Sequence, residues 1–182
     1  MRVWHLAALL GCAVAQSQNK VDRDAQIFQD FSPRVGQYVK LHNTVKSQIH
    51  RLKPTKSAEA IDHYEHRFAR GMSEARSGVM QGDIFTPEIA AEFRRLVGIT
   101  MGGPDAARIR ETLRAASPVQ FKNLLVNHPY PPGAALQTTP PSLLLNLPPV
   151  PPEVEYRVVG HALILRDIDA NLIVDSVWNV IP

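Results

Sequence analysis

Apolar residues in the front of the chain recur at helical spacing. Val21, Phe28, Phe31, Val35, Tyr38, Leu41, Val45, Ile49 and Leu52 lie three, four or seven apart, which predicts one amphipathic helix over 19–52. Ser32-Pro33 falls inside it and predicts a restart or kink, because serine caps well and proline suits the first helical position. Lys53-Pro54-Thr55 forms a turn. A second stripe at Ile61, Tyr64, Phe68, Met72, Ala75 and Val79 predicts a helix over 57–80, antiparallel to the first. Thr86-Pro87-Glu88 starts a third helix, which Gly98 should stop after Val97. Gly102-Gly103-Pro104-Asp105 starts a fourth, ending near Ser117-Pro118, and residues 121–126 add a further turn.

The back of the chain changes period. Val154–Val159, Ala162–Arg166 and Leu172–Val177 alternate as strands. Gly160-His161 has the composition of a two-residue hairpin turn. Asp167-Ile168-Asp169-Ala170-Asn171 makes the second turn. It imitates the opening of a calcium loop, but Leu172 and Trp178 break that pattern. Tyr156, Val158, Leu163, Leu165, Leu172 and Val174 should share the buried face. Between the two regions lie nine of the fifteen prolines, from Pro129 to Pro152, through which neither a helix nor an inner strand can run. Leu143, Leu144, Leu145 and Leu147 are too apolar for a solvated spacer and should lie on the bundle or the sheet. The predicted fold class is α+β. It has an N-terminal antiparallel helical bundle over 16–127, a Pro-rich connection over 128–153 and a small C-terminal antiparallel β-meander over 154–182.

Residues 1–15 read as an export signal. Arg2 precedes a run dominated by apolar and small residues that ends in the small-x-small site Ala13-Val14-Ala15. A spanning helix needs roughly 20 apolar residues, more than this run supplies. Leu9-Leu10-Gly11-Cys12 offers an alternative, lipidation of Cys12, and an uncleaved segment is a third. Cleavage after Ala15 removes the single cysteine, so the remainder folds without disulfides or thiolate chemistry. The expected location is periplasmic or secreted, with a lipid-anchored envelope protein as the alternative. No transmembrane span is expected in the mature chain.

Charge is uneven. Residues 16–127 carry 17 basic and 12 acidic side chains, and residues 153–182 carry 2 and 5, so a basic front faces an acidic tail. Arg34, Lys40, Lys46, Arg51, Lys53 and Lys56, with His42 and His50 among them, form a run without an acidic residue. They suit an anionic envelope surface or an acidic partner. No nucleic-acid module signature is present, and none is expected as a partner. His63 and His66, three apart with Glu59 nearby, share the face opposite the second stripe and could ligate nickel, cobalt or zinc. The competing reading is an ordinary solvated helix face. No other cofactor is indicated. Gly-x-Ser-x-Gly, His-Glu-x-x-His and paired-carboxylate patterns are missing, and Gly102-Gly103 lacks the lysine of a phosphate loop.

The segment Leu147-Pro-Pro-Val-Pro-Pro-Glu-Val-Glu-Tyr-Arg-Val-Val-Gly160, with Leu163-Ile-Leu and Leu172-Ile-Val-Asp175, resembles the short C-terminal β-module of periplasmic RcnB-like proteins. That resemblance covers about 35 residues and implies nickel or cobalt homeostasis. Gly82-Asp-Ile-Phe-Thr-Pro-Glu88 and Phe93-Arg-Arg-Leu96 resemble an uncharacterised family of exported bacterial proteins, a likeness that implies no activity. The expectation is a non-enzymatic exported binding module whose partner is an envelope protein or an anionic envelope surface. An open edge of the meander would be able to pair with a partner's strand. A periplasmic divalent-metal-binding accessory protein is the alternative, and a hydrolase of unknown substrate the third reading.

Overall fold

A computed structural model describes residues 10–50, 52–115, 124–130 and 139–181, with side chains from residue 25 onward. It is an α+β fold. The helices are α1 (Leu10–Gln48), α2 (Ala58–Ala75), α3 (Pro87–Met101), α4 (Ala106–Ala115) and α5 (Pro141–Leu144). The strands are β1 (Val154–Val159), β2 (Ala162–Asp167) and β3 (Leu172–Val177). The signal-like residues 1–9 lie outside the described residues, and residues 10–15 form the start of α1.

α1 buries Ile27, Phe31, Val35, Tyr38, His42 and Val45 along one line. The expected restart at Ser32-Pro33 does not occur: α1 runs on through Pro33. Pro33 sits on the exposed side, while Phe31 and Val35 on either side of it are buried. α1 ends at Gln48, short of the expected Leu52. Ser57 caps α2, its hydroxyl accepting from Ala60 N at 3.2 Å. α2 stops at Ala75 rather than at Met80, because Arg76 turns its side chain inward and Gly78 takes φ 86°. α3 starts as expected, with the Thr86 hydroxyl accepting from Ile89 N at 3.4 Å. Hydrogen bonds to its own backbone N–H and to Thr86 hold the Glu88 carboxyl below its usual range. The predicted stop at Gly98 is wrong. Val97 and Met101 are both buried and carry the helix past that glycine. Residues 124–126 are not helical, and the rest of the expected turn at 121–126 is outside the described residues, as is Ser117-Pro118, the expected end of the fourth helix.

The sheet is an antiparallel meander in the order β1-β2-β3. Val159 pairs with Ala162 across the two-residue turn, where Gly160 supplies φ 57°. Leu165 pairs with Asp175 but Arg166 pairs with Ile173, so Val174 is the extra residue of a bulge. Tyr156, Val158, Leu163, Leu165, Leu172 and Val174 all join the main core, as their alternation predicts. The opposite face is also covered: Val159, Ala162, Ile164 and Ile173 pack with Leu124 and Tyr130. The β3 edge is taken. Asn127 N donates to Ile173 O at 2.8 Å, Ile173 N to His128 O at 2.9 Å and Tyr130 N to Asn171 O at 2.7 Å. Further along, the Arg76 guanidinium donates to Val174 O and the Gln81 amide to Ser176 O. On the β1 edge the Thr139 hydroxyl donates to Tyr156 O at 2.8 Å. The edge expected to offer itself to a partner is thus occupied at β3 by this chain.

One apolar core runs from the helices into the sheet. Its centre is aromatic. Phe31 and Phe93 rings lie 5.1 Å apart, Phe85 and Phe93 5.1 Å, and Phe93 and Tyr156 6.0 Å. Leu143 and Leu147 are buried in the same core and Leu144 packs against it, while Leu145 faces solvent. Phe93 touches rings from α1, the loop before α3 and β1. Phe93→Ala is therefore expected to cost about 3–5 kcal/mol, read as a drop in the urea midpoint with the slope unchanged.

Candidate functional site

Tyr38, His42 and Lys46 follow each other at intervals of four on α1, so they share one face. That face meets the turn 168–171 between β2 and β3. Asp167, the last residue of β2, is completely buried. Its Oδ2 accepts from the Tyr38 hydroxyl at 2.6 Å and faces His42 Nδ1 at 2.6 Å. Its Oδ1 accepts from Ala170 N at 2.8 Å and closes the turn. His42 is equally buried, with its ring edge-on to Phe68 at 4.9 Å. Beyond it, Asp169 forms an ion pair with Lys46. Asn171 takes φ 48°, and Arg166 braces it, donating to its side-chain oxygen at 3.0 and 2.7 Å. Burial, and after it the Asp167 carboxylate, push the Tyr38 hydroxyl well above its usual range. The hydrogen bond to Asp169 holds the Lys46 ammonium above its own.

A second buried carboxylate lies on β3. Asp175 accepts from Gly82 N at 3.1 Å, Ile84 N at 2.8 Å, Phe85 N at 2.8 Å and Ser176 N at 2.8 Å. Three N–H groups of the loop between α2 and α3 thus converge on it, an arrangement that includes the left-handed Gly82 at φ 95°. Arg76 bridges the two centres. Its guanidinium donates twice to Val174 O at 3.2 Å, lies 3.6 Å from the Asp83 carboxylate and covers the Tyr38 ring at 4.9 Å. Chemically, Tyr38, Asp167 and His42 are an acid–base set. Tyr38, at 4 %, and His42 and Asp167, at 0 %, are closed to solvent, and their bonds join helix to sheet.

The chain matches no known family model, curated protein or solved structure.

The residues singled out by sequence are dispersed. Glu59, His63 and His66 lie on the exposed face of α2, and His66 Nδ1 turns to Asp62 O at 2.8 Å. Among the described residues no three His, Cys, Asp or Glu side chains come together to hold a metal ion. Of the basic run, Arg34 donates to Asp83 O at 2.8 Å, and Lys46 pairs with Asp169. Lys40, Lys53 and Lys56 are exposed, and Arg51 is outside the described residues. Arg34 and Lys46 stand about 18 Å apart along the helix. The Cys12 side chain and the Ala13-Val14-Ala15 site are likewise outside the described side chains. Among the described residues no helix is long and apolar enough to cross a membrane.

His42, Asp167, Asp175 and Arg76 carry no motif, yet two signals point to them. His42 is polar at a stripe position, four after Tyr38 and three before Val45. Asp175 is a lone charge inside an apolar strand. Asp167→Ala would strip the acceptor from Tyr38, His42 and Ala170 at once, and a loss of about 3–5 kcal/mol is expected by urea denaturation. An alkaline effect follows from the tyrosines. Burial also raises Tyr156 and Tyr130. Their hydroxyls stay protonated in the folded chain, so this stability is complete below tyrosine's usual pKa of about 10 and falls as pH rises beyond it. Tyr38→Phe should lessen the fall in the urea midpoint between about pH 10 and pH 11.5.

Proposed function

We propose that this chain is an exported protein of the bacterial cell envelope that acts by binding, not by catalysis. One observation carries the reading. The polar groups that converge in the fold, Tyr38, His42, Asp167, Arg76 and Asp175, are buried and spend their bonds on joining helices to sheet. A substrate has no access to them in this arrangement. What the chain offers to a partner is its exposed surface, which includes Lys40, Lys53 and Lys56 of the basic run. These lysines favour an anionic envelope surface, since each basic side chain near such a surface contributes about 1 kcal/mol. The resemblance of the front to exported bacterial proteins, and the signal-like residues 1–15, support the compartment.

Two measurements test this reading. Fractionation of the producing cells should place the protein outside the cytoplasm, with Gln16 at the N-terminus after processing. The protein should cosediment with phosphatidylglycerol vesicles and not with phosphatidylcholine vesicles. Lys53→Glu with Lys56→Glu should lower that partition by about tenfold or more. A cytoplasmic location, or equal partition to both lipids, overturns the proposal. A saturable thermal stabilisation by nickel, cobalt or zinc, lost in His63→Ala/His66→Ala, would replace it with the metal-binding accessory role.

A further inference from the structure

The His42 ring stands between two carboxylates, one at each nitrogen. Nδ1 lies 2.6 Å from Asp167 Oδ2, and Nε2 lies 3.5 Å from Asp169 Oδ2. Both Asp167 oxygens accept from other donors, so Nδ1 carries the proton it gives to Asp167. Nε2 is buried and has no hydrogen-bond partner among the described residues. In a neutral imidazole that nitrogen is a bare lone pair directed at a carboxylate, an arrangement without an attractive contact.

We propose that His42 is a proton-operated latch between α1 and the β2–β3 turn. As an imidazolium it bonds Asp167 and Asp169 together. As a neutral imidazole it holds Asp167 alone. Closing the second bond needs a movement of about half an ångström, to a normal length near 2.9 Å. Asp169 can make that movement, since its side chain is 39 % exposed while that of Asp167 is fully enclosed.

The surroundings set the direction. Against the two carboxylates stands the Lys46 ammonium on α1, paired with Asp169. An imidazolium supplies a second cation. The other groups facing this point are the Tyr38 hydroxyl from α1, which stays protonated, and the Tyr64 hydroxyl from α2, on the side of Lys46. The Arg76 guanidinium lies over the Tyr38 ring and has Asp83 as its own counter-charge. Phe68 from α2 closes the ring edge with an apolar contact. The second bond exists only in the folded, protonated chain. The stability it adds is therefore present while Nε2 carries a proton and is lost when that proton leaves.

The test uses the full chain and its Asp169→Asn variant, with urea midpoints taken at pH 8 and pH 5.5. Asparagine removes the carboxylate facing Nε2 and leaves Asp167 in place. Lys46 keeps its charge across this range, so its lost ion pair lowers the variant equally at both pH values. The gap between wild type and variant should widen by about 0.5 M urea at pH 5.5, the effect of one charge-assisted hydrogen bond. In the wild type, nitrogen-resolved NMR should show a slowly exchanging His42 Nε2–H at pH 5.5 that is absent at pH 8. A gap that stays constant or narrows overturns the latch. So does an Nε2–H that never appears, and that second reading decides the matter even where the variant does not fold.

Discussion

The sheet and the helices are held in register by a buried carboxylate. Removing an ion from water costs several kcal/mol unless hydrogen bonds replace the lost solvent. Asp167 meets that cost with the Tyr38 hydroxyl, His42 Nδ1 and its own turn N–H at Ala170. The first two of these bonds tie the turn to α1. The apolar contacts around Phe31 and Phe93 supply most of the attraction, but they are tolerant of small slides. The directional bonds at Asp167 are not, so they select which slide is native.

Asp175 does the same work at the far end of the meander. Its partners are backbone N–H groups of the loop between α2 and α3, so it orders a segment with no periodic structure of its own. Arg76 then ties this loop to the bulge at Val174 and to the ring of Tyr38. The result is a continuous polar seam inside an apolar body, running from α1 through the end of α2 to β2 and β3. Within it, Tyr38, His42 and Asp167 depend on one another for hydrogen bonding. Loss of one leaves another buried and unpaired, and effects along the seam should be strongly non-additive.

Most of the architecture was readable from local pattern. The strand pattern and the Gly160-His161 turn were clear because alternation and a φ-positive glycine are local signals. Helix starts at Ser57 and Thr86 follow from the same local chemistry. Helix ends were less legible. Gly98 is a poor helix former, but the burial of Met101 outweighs roughly 1 kcal/mol of propensity. The seam was not legible, because its members lie far apart in the chain and each looks ordinary alone. The basic front and acidic tail were its faint trace. Screening makes such asymmetry weak between exposed charges, yet His42 meets Asp167 where no salt reaches.

Tyr38 and Asp167 are separated by 129 positions. At a synthesis rate of roughly 5–20 residues per second, Tyr38 precedes its acceptor by about 6–26 seconds. Throughout that interval the apolar line on α1 has no sheet to cover it. The helices made in that interval can cover part of this line, since Phe31 packs on Phe85 and Phe93, but the native core can close only after the strands have been made.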